Sequence, residues 1–148
     1  MITVASYLMG IPPGNRNLEK PAIINNFIEG VNKVGDKGAV VTGWHPMNTD
    51  VAVLQGFVHS DSKQTKHLLL RKAVYDNQIN RGKRCLIVDA NLFLYADRTN
   101  ASGYLRYSYD GIFPTTGEYC YDNPNPERWA KLSRDMNITV KPWKFDNG

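Results

Sequence analysis

Apolar residues recur along this chain with two periods, and the switches between them mark out its elements. Residues 2–8 (ITVASYL) are β-branched and apolar, which predicts a first strand. The Gly10-Ile11-Pro12-Pro13-Gly14-Asn15 loop ends it. Over 19–34 the period changes. Ile23, Ile24, Phe27, Ile28, Val31 and Val34 share one arc, opposite Asn25, Asn26, Glu29, Asn32 and Lys33, so an amphipathic helix is expected, closed by Gly35. Residues 38–42 (GAVVT) predict a second strand, broken by Gly43-Trp44-His45-Pro46. Residues 50–58 (DVAVLQGFV) predict a third, apolar enough for burial on both faces. Asp61-Ser62 then offers a cap for a helix over 63–80, its inner face formed by Leu69, Leu70, Ala73 and Val74, with Lys66 the one charge in that arc. Residues 84–90 (RCLIVDA) predict a fourth strand.

Strand, helix, strand, strand, helix, strand is an α/β rhythm, and connections of this length suit crossovers over parallel strands. The second and third strands follow each other directly, which leaves room for one hairpin or edge rearrangement. Residues 91–123 lose all period and are rich in Tyr, Gly, Asn and Asp, a long irregular segment with a short hairpin expected around Leu105–Phe113. A last helix starts at Asn125-Pro126, with an apolar stripe of Trp129, Leu132 and Met136; residues 138–143 (ITVKPW) predict a short final strand. The expected fold is one α/β domain over 1–148, Rossmann-like and three-layered, with a mainly parallel sheet of four to five strands and three main helices.

Composition adds limits. The 148 residues are 42% hydrophobic and 22% charged, a globular balance. No apolar run is long enough to span a bilayer and no basic-then-apolar leader opens the chain, so a cytoplasmic location, the host's cytoplasm for a viral protein, is expected. Cys85 and Cys120 are too few for a disulfide framework or a four-cysteine zinc site; Cys85 reads as a small buried hydrophobe. His45, His59 and His67 form no metal signature, and a divalent metal is not expected. The net charge of +4 is uneven. Lys63, Lys66, Arg71, Lys72, Arg81, Lys83 and Arg84 stand against Asp76 alone, so 63–84 is either a face for nucleic acid or another anion, or the solvated side of a helix and its exit turn.

In an open parallel sheet, ligands bind beyond the carboxyl ends of the strands. The sequence puts Gly10, Gly14 and Asn15 after the first strand, His59 after the third, and Asp89 and Asn91 at the end of the fourth. The proline-bearing glycine loop is neither a G-x-G-x-x-G fingerprint nor a P-loop, and no G-x-S-x-G elbow is present. Asp89 ends a run of buried strand residues, where a carboxylate is costly without a role or a partner; it either acts on a ligand or caps nearby N–H groups. Arg106, Tyr107 and Asp110, in the run LRYSYDG, suit a sugar or a base; the tyrosines there serve equally to cover a sheet edge.

Two resemblances accompany these residues. Leu86-Ile87-Val88-Asp89-Ala90-Asn91-Leu92-Phe93-Leu94-Tyr95 resembles the opening strand of PIN-domain nucleases, where a strand-ending Asp helps hold Mg²⁺ or Mn²⁺; here Asp97, Asp110, Glu118 and Asp122 would supply the other ligands. A broader set resembles the N-terminal half of phage GT-B-type glycosyltransferase-like proteins: Asp50 through His59, His67-Leu68 with Arg71, Val88 through Phe93, and Leu105 through Gly111. That resemblance implies a Rossmann-like domain contributing the acceptor-side half of a sugar-transfer site. A nucleotide-sugar donor would be held mainly by a second domain or subunit beyond the Lys141-Pro142-Trp143-Lys144 region, this chain being a split or truncated form. Asp89 or Asp110 would be the base, and Arg71, Arg106 or Lys20 would assist the leaving diphosphate. The alternative is a non-catalytic phage module that binds a nucleotide, a nucleic acid or a host protein.

Overall fold

Strands whose side chains are apolar on both faces need cover on both faces, and the chain provides it. In the computed structural model, which describes residues 1–11, 20–56, 64–90, 105–111 and 123–142, five strands form one sheet. The elements are β1 (Thr3–Tyr7), a 3₁₀ turn (Leu8–Gly10), α1 (Lys20–Lys33), β2 (Lys37–Val41), β3 (Val51–Gln55), α2 (Lys66–Asn80), β4 (Arg84–Ala90), β5 (Leu105–Tyr109) and α3 (Pro126–Asp135). The strand order is β2-β1-β3-β4-β5. The first four run parallel and β5 is antiparallel to β4. This is the expected Rossmann-like α/β fold.

Alternation along each strand sorts the core into two layers. Ala5, Tyr7, Ala52, Leu54, Cys85 and Ile87 pack with Leu70 and Val74 of α2. Val4, Val53 and Val88 pack with Ile28 of α1, and Phe27 and Val31 close over them. Helix α1 reaches its strands closely at Gly38, where an added Cβ would lie 3.0 Å from Ile28 Cγ2 and 3.1 Å from Ile28 O. The Asn32 side chain fixes the same junction by accepting from Gly38 N at 2.7 Å.

Five details differ from the sequence expectation. The buried stripe of α2 is Leu70, Arg71, Val74 and Gln78, while Leu69 is exposed and Lys66 lies outside, over the Trp44 ring. The arc was misjudged by one position because hydrogen bonding lets Arg71 and Gln78 go inside. Val34 is exposed, because α1 stops at Lys33 and the chain turns at Gly35 with φ +91°. The β2–β3 connection is not a hairpin: the chain passes from β2 to β3 across β1, and all three strands stay parallel. The LRYSY run is β5, paired with β4, and residues 138–142 are irregular, not a strand. Helix α3 does begin at Pro126, with Asn125 capping Glu127 N.

The amino edge of the sheet is tied by Asp50. Its Oδ2 accepts from Thr3 N at 2.9 Å and Thr3 Oγ1 at 2.7 Å, and its Oδ1 accepts from Lys83 Nζ at 2.9 Å. One carboxylate thus joins the starts of β1 and β3 to the exit turn of α2. Lys83, the Thr3 amide and the Thr3 hydroxyl, in that order, hold its carboxyl well below the usual aspartate range. A depressed carboxyl favours the fold above its unfolded pKa, and that contribution is lost as pH falls through the folded value. Asp50→Asn is therefore expected to be less stable than the wild type in urea at pH 7. The gap should close progressively below about pH 4. A gap that persists unchanged to pH 2 would refute this assignment.

Candidate functional site

β1 leads through α1 to β2 on one side, and β3 leads through α2 to β4 on the other. The order reverses between β1 and β3, which is where open α/β sheets hold ligands. A buried arginine occupies this point. Arg71, in the second turn of α2, is 6% exposed and donates from Nε to Gly10 O at 2.7 Å. Its guanidinium also closes against the end of β3: Gly56 has φ +75°, and a Cβ there would lie 2.9 Å from Arg71 Nη1. Gly56 N in turn donates to Val88 O at 2.7 Å. Glycine at 56 is thus required both by backbone angle and by space.

Burial pulls the Arg71 guanidinium down to about 10, with the Asp89 charge opposing that shift. It remains a full cation at neutral pH. Asp89, near the carboxyl end of β4, pairs across the sheet with Arg106 of β5, and Arg106 Nη2 donates to Asp89 Oδ2 at 3.2 Å. Arg106 Nε is buried and meets no hydrogen-bond partner. Among the described residues, two guanidinium groups therefore act around one carboxylate. Such an arrangement suits a phosphate or another anion.

Of the residues singled out in the sequence, the structure brings Gly10, Arg71, Asp89 and Arg106 to this edge. Tyr107 lies one residue along β5 and so on the opposite face of the sheet, stacked on Phe27 of α1 with ring centroids 6.2 Å apart. Gly14, Asn15, His59 and Asn91 lie outside the described residues. Asp110 does not join Asp89. β5 runs antiparallel, so Asp110 falls beside Cys85 at the far end of β4, four residues or about 13 Å from Asp89 along the strand. There it accepts from Cys85 N at 2.8 Å, pairs with Arg84, and adopts φ 60°. It closes the amino edge, so the two carboxylates offered as alternative bases stand at opposite edges of the sheet.

The same separation bears on the nuclease-like pattern, since Asp89 and Asp110 cannot share one ion. Asp97, Glu118 and Asp122 lie outside the described residues, and no group of three potential metal ligands occurs among the described ones. Cys85 is fully buried, and burial, reinforced by Asp110, pushes its thiol up to about 12, so it is an inert core residue.

The basic segment does not present one face. Lys66 stacks on Trp44, Arg71 is buried, and Lys72 pairs with Asp76. Arg81 donates to Thr49 O and Gln78 Oε1, Lys83 pairs with Asp50, and Arg84 pairs with Asp110. α2 carries these groups from the carboxyl edge to the amino edge, and each described cation has a partner. Lys63 lies outside the described residues. No helix among the described residues is long and apolar enough to cross a membrane.

No protein-family model, curated protein or solved structure matches this chain.

Gly56, Gln55 and Ser6 escaped the sequence reading. Gly56 carried a usable signal, a glycine directly after an apolar strand run. Ser6 and Gln55 carried none, because single polar residues inside strand runs are common. Gly56→Ala should lower stability by more than about 1 kcal/mol, through positive-φ strain and the clash with Arg71. Gly10→Ala should cost far less, since a Cβ at Gly10 meets Arg71 Cγ at an ordinary 3.7 Å. Urea melts of the two variants compare them directly, and equal losses would contradict the placement of Arg71.

Proposed function

We propose that this chain is a glycosyltransferase-like domain that forms the acceptor-side half of a sugar-transfer site. The observation that supports it is the Arg71–Asp89–Arg106 cluster at the reversal of strand order, in which the described residues set two guanidinium groups around one carboxylate. Sugar transfer from a nucleotide donor separates a sugar from a diphosphate, and positive groups fixed beside the departing anion lower the barrier. Arg71 is held rigidly by Gly10 O and the packing of α2. Arg106 has a buried N–H still to be used. In this reading a second domain or subunit supplies the remaining donor contacts, and Asp89 faces the acceptor hydroxyl. Acting as a base would require Asp89 to exchange its contact with Arg106 for that hydroxyl.

That ion pair supports a second reading. A carboxylate that orients a guanidinium is what a non-catalytic anion-binding module needs, and in that case the cluster recognises a nucleotide without cleaving it.

Calorimetric titration with UDP-glucose, UDP and pyrophosphate, together with an assay for UDP released from UDP-glucose with and without candidate acceptors, tests both. The expected result is saturable binding of the phosphate-bearing ligands, weakened at least tenfold in Arg71→Met and in Arg106→Gln. Release of UDP that disappears in Asp89→Asn supports transfer chemistry. Binding with no release, alone or with candidate acceptors, supports the module. Absence of any phosphate-bearing ligand binding by the folded chain would remove both readings.

A further inference from the structure

β2 is an outermost strand of the sheet, with β1 on one side and no described strand on the other. Such a strand turns half of its backbone N–H and C=O groups away from its neighbour, where another strand can add to them. Lys37 N donates to Ile2 O at 2.9 Å, so in the alternation of a parallel ladder Ala39 and Val41 also face β1. Gly38 and Val40 therefore face outward. At Gly38 one side chain takes both outward groups. Gly38 N donates to Asn32 Oδ1 at 2.7 Å, and Asn32 Nδ2 donates to Gly38 O at 3.4 Å. The Asn32 amide thus makes the two bonds that a residue of an antiparallel neighbour would exchange with Gly38. It reaches them from the last turn of α1, which lies close to β2 because position 38 has no side chain. Val40 has no such cap among the described residues.

Without the cap, this strand is complementary to itself. Two copies of β2 related by a two-fold axis at Ala39 run antiparallel and set Gly38 of each opposite Val40 of the other. Each Gly38–Val40 pair then exchanges both outward bonds. Ala39, which is exposed, faces its own copy, and its methyl group fits the narrow spacing of a pair without hydrogen bonds. Lys37 faces Val41, so no like charges stand opposite each other. Every bond of this ladder uses an N–H or C=O of Gly38, and Asn32 already holds both. We infer that the outer edge of β2 is a strand-pairing surface for a second copy of this chain, and that Asn32 keeps it closed. The surface uses no residue of the Arg71–Asp89–Arg106 cluster, so it stands or falls independently of the anion site.

Sedimentation equilibrium and residue-resolved amide hydrogen exchange on the full chain test this. In the wild type the Gly38 amide should be protected and the Val40 amide should exchange freely, at every concentration. Asn32→Ala should self-associate to a dimer at least tenfold more tightly than the wild type. In that variant the Gly38 amide should exchange freely when dilute, and the Gly38 and Val40 amides should gain protection together as concentration rises. A folded Asn32→Ala chain that associates no more tightly than the wild type overturns the inference. So does association that leaves those two amides unprotected, because it joins the copies through another surface. A wild type whose Gly38 amide exchanges as fast as that of Val40 has no cap, and one whose Val40 amide gains protection with concentration has an open edge; either result overturns the closure. If Asn32→Ala does not fold, Asn32 is a tie that seats α1 on β2, and the inference falls.

Discussion

The carboxyl edge of this fold is arranged around one buried guanidinium. Taking an arginine out of water costs roughly several kcal/mol unless its donors are used. Arg71 meets part of that cost by donating to Gly10 O, which fixes α2 against the turn that follows β1. The guanidinium then excludes any side chain from position 56, so the end of β3 must turn through a glycine at positive φ. Asp89 at the end of β4 sees the same charge and offsets part of the burial penalty. One side chain on α2 thereby sets the relative positions of the ends of β1, β3 and β4. Those three ends form the carboxyl edge of a sheet whose order reverses between β1 and β3. The geometry of the site and the seating of the helix are therefore one constraint.

The fold was legible because its main signal is periodic. β-branched runs at β1, β3 and β4, and a clean arc at α1, leave little choice but a covered parallel sheet. What the pattern could not provide was the inside of α2. Hydropathy places arginine and glutamine outside, but Arg71 has Gly10 O, and Gln78 donates to Arg84 O while accepting from Arg81. Burial of a polar residue depends on a partner distant in sequence, which no local window contains. The direction of β5 was equally invisible. An alternating LRYSY run pairs as well in either sense, yet its antiparallel pairing is what places Arg106 beside Asp89 and carries Asp110 to the other edge. The carboxylate at the end of β4 could be picked out from sequence because a charge closing an apolar strand is unusual. The other acid the sequence offered, Asp110, falls at the opposite edge, because strand direction decides its place. In the basic segment, the described cations of α2 and its exit turn reach both edges and meet different partners.

Comparison of the two edges carries the functional argument further than any single residue. At the amino edge, polar groups are closed on one another. Asp50 accepts from Thr3 and Lys83, Asp110 accepts from Cys85 N and pairs with Arg84, and both ends of the fully buried Gln78 amide are used. No buried side-chain polar atom described there lacks a partner. At the carboxyl edge the pattern inverts. Among the described residues, the buried side-chain atoms without partners, Ser6 Oγ, Gln55 Oε1 and Arg106 Nε, lie on β1, β3 and β5, toward the end where the parallel strands finish. A sheet selected for stability alone would have no reason to separate its satisfied and unsatisfied groups by edge. Proteins depart from local consistency chiefly at functional sites, and here the departures gather at the edge that topology already marks for ligands. They also sort by face. The guanidinium groups of Arg71 and Arg106 lie on the α2 side, while Ser6 Oγ and Gln55 Oε1 lie on the α1 side beneath the packed residues of α1.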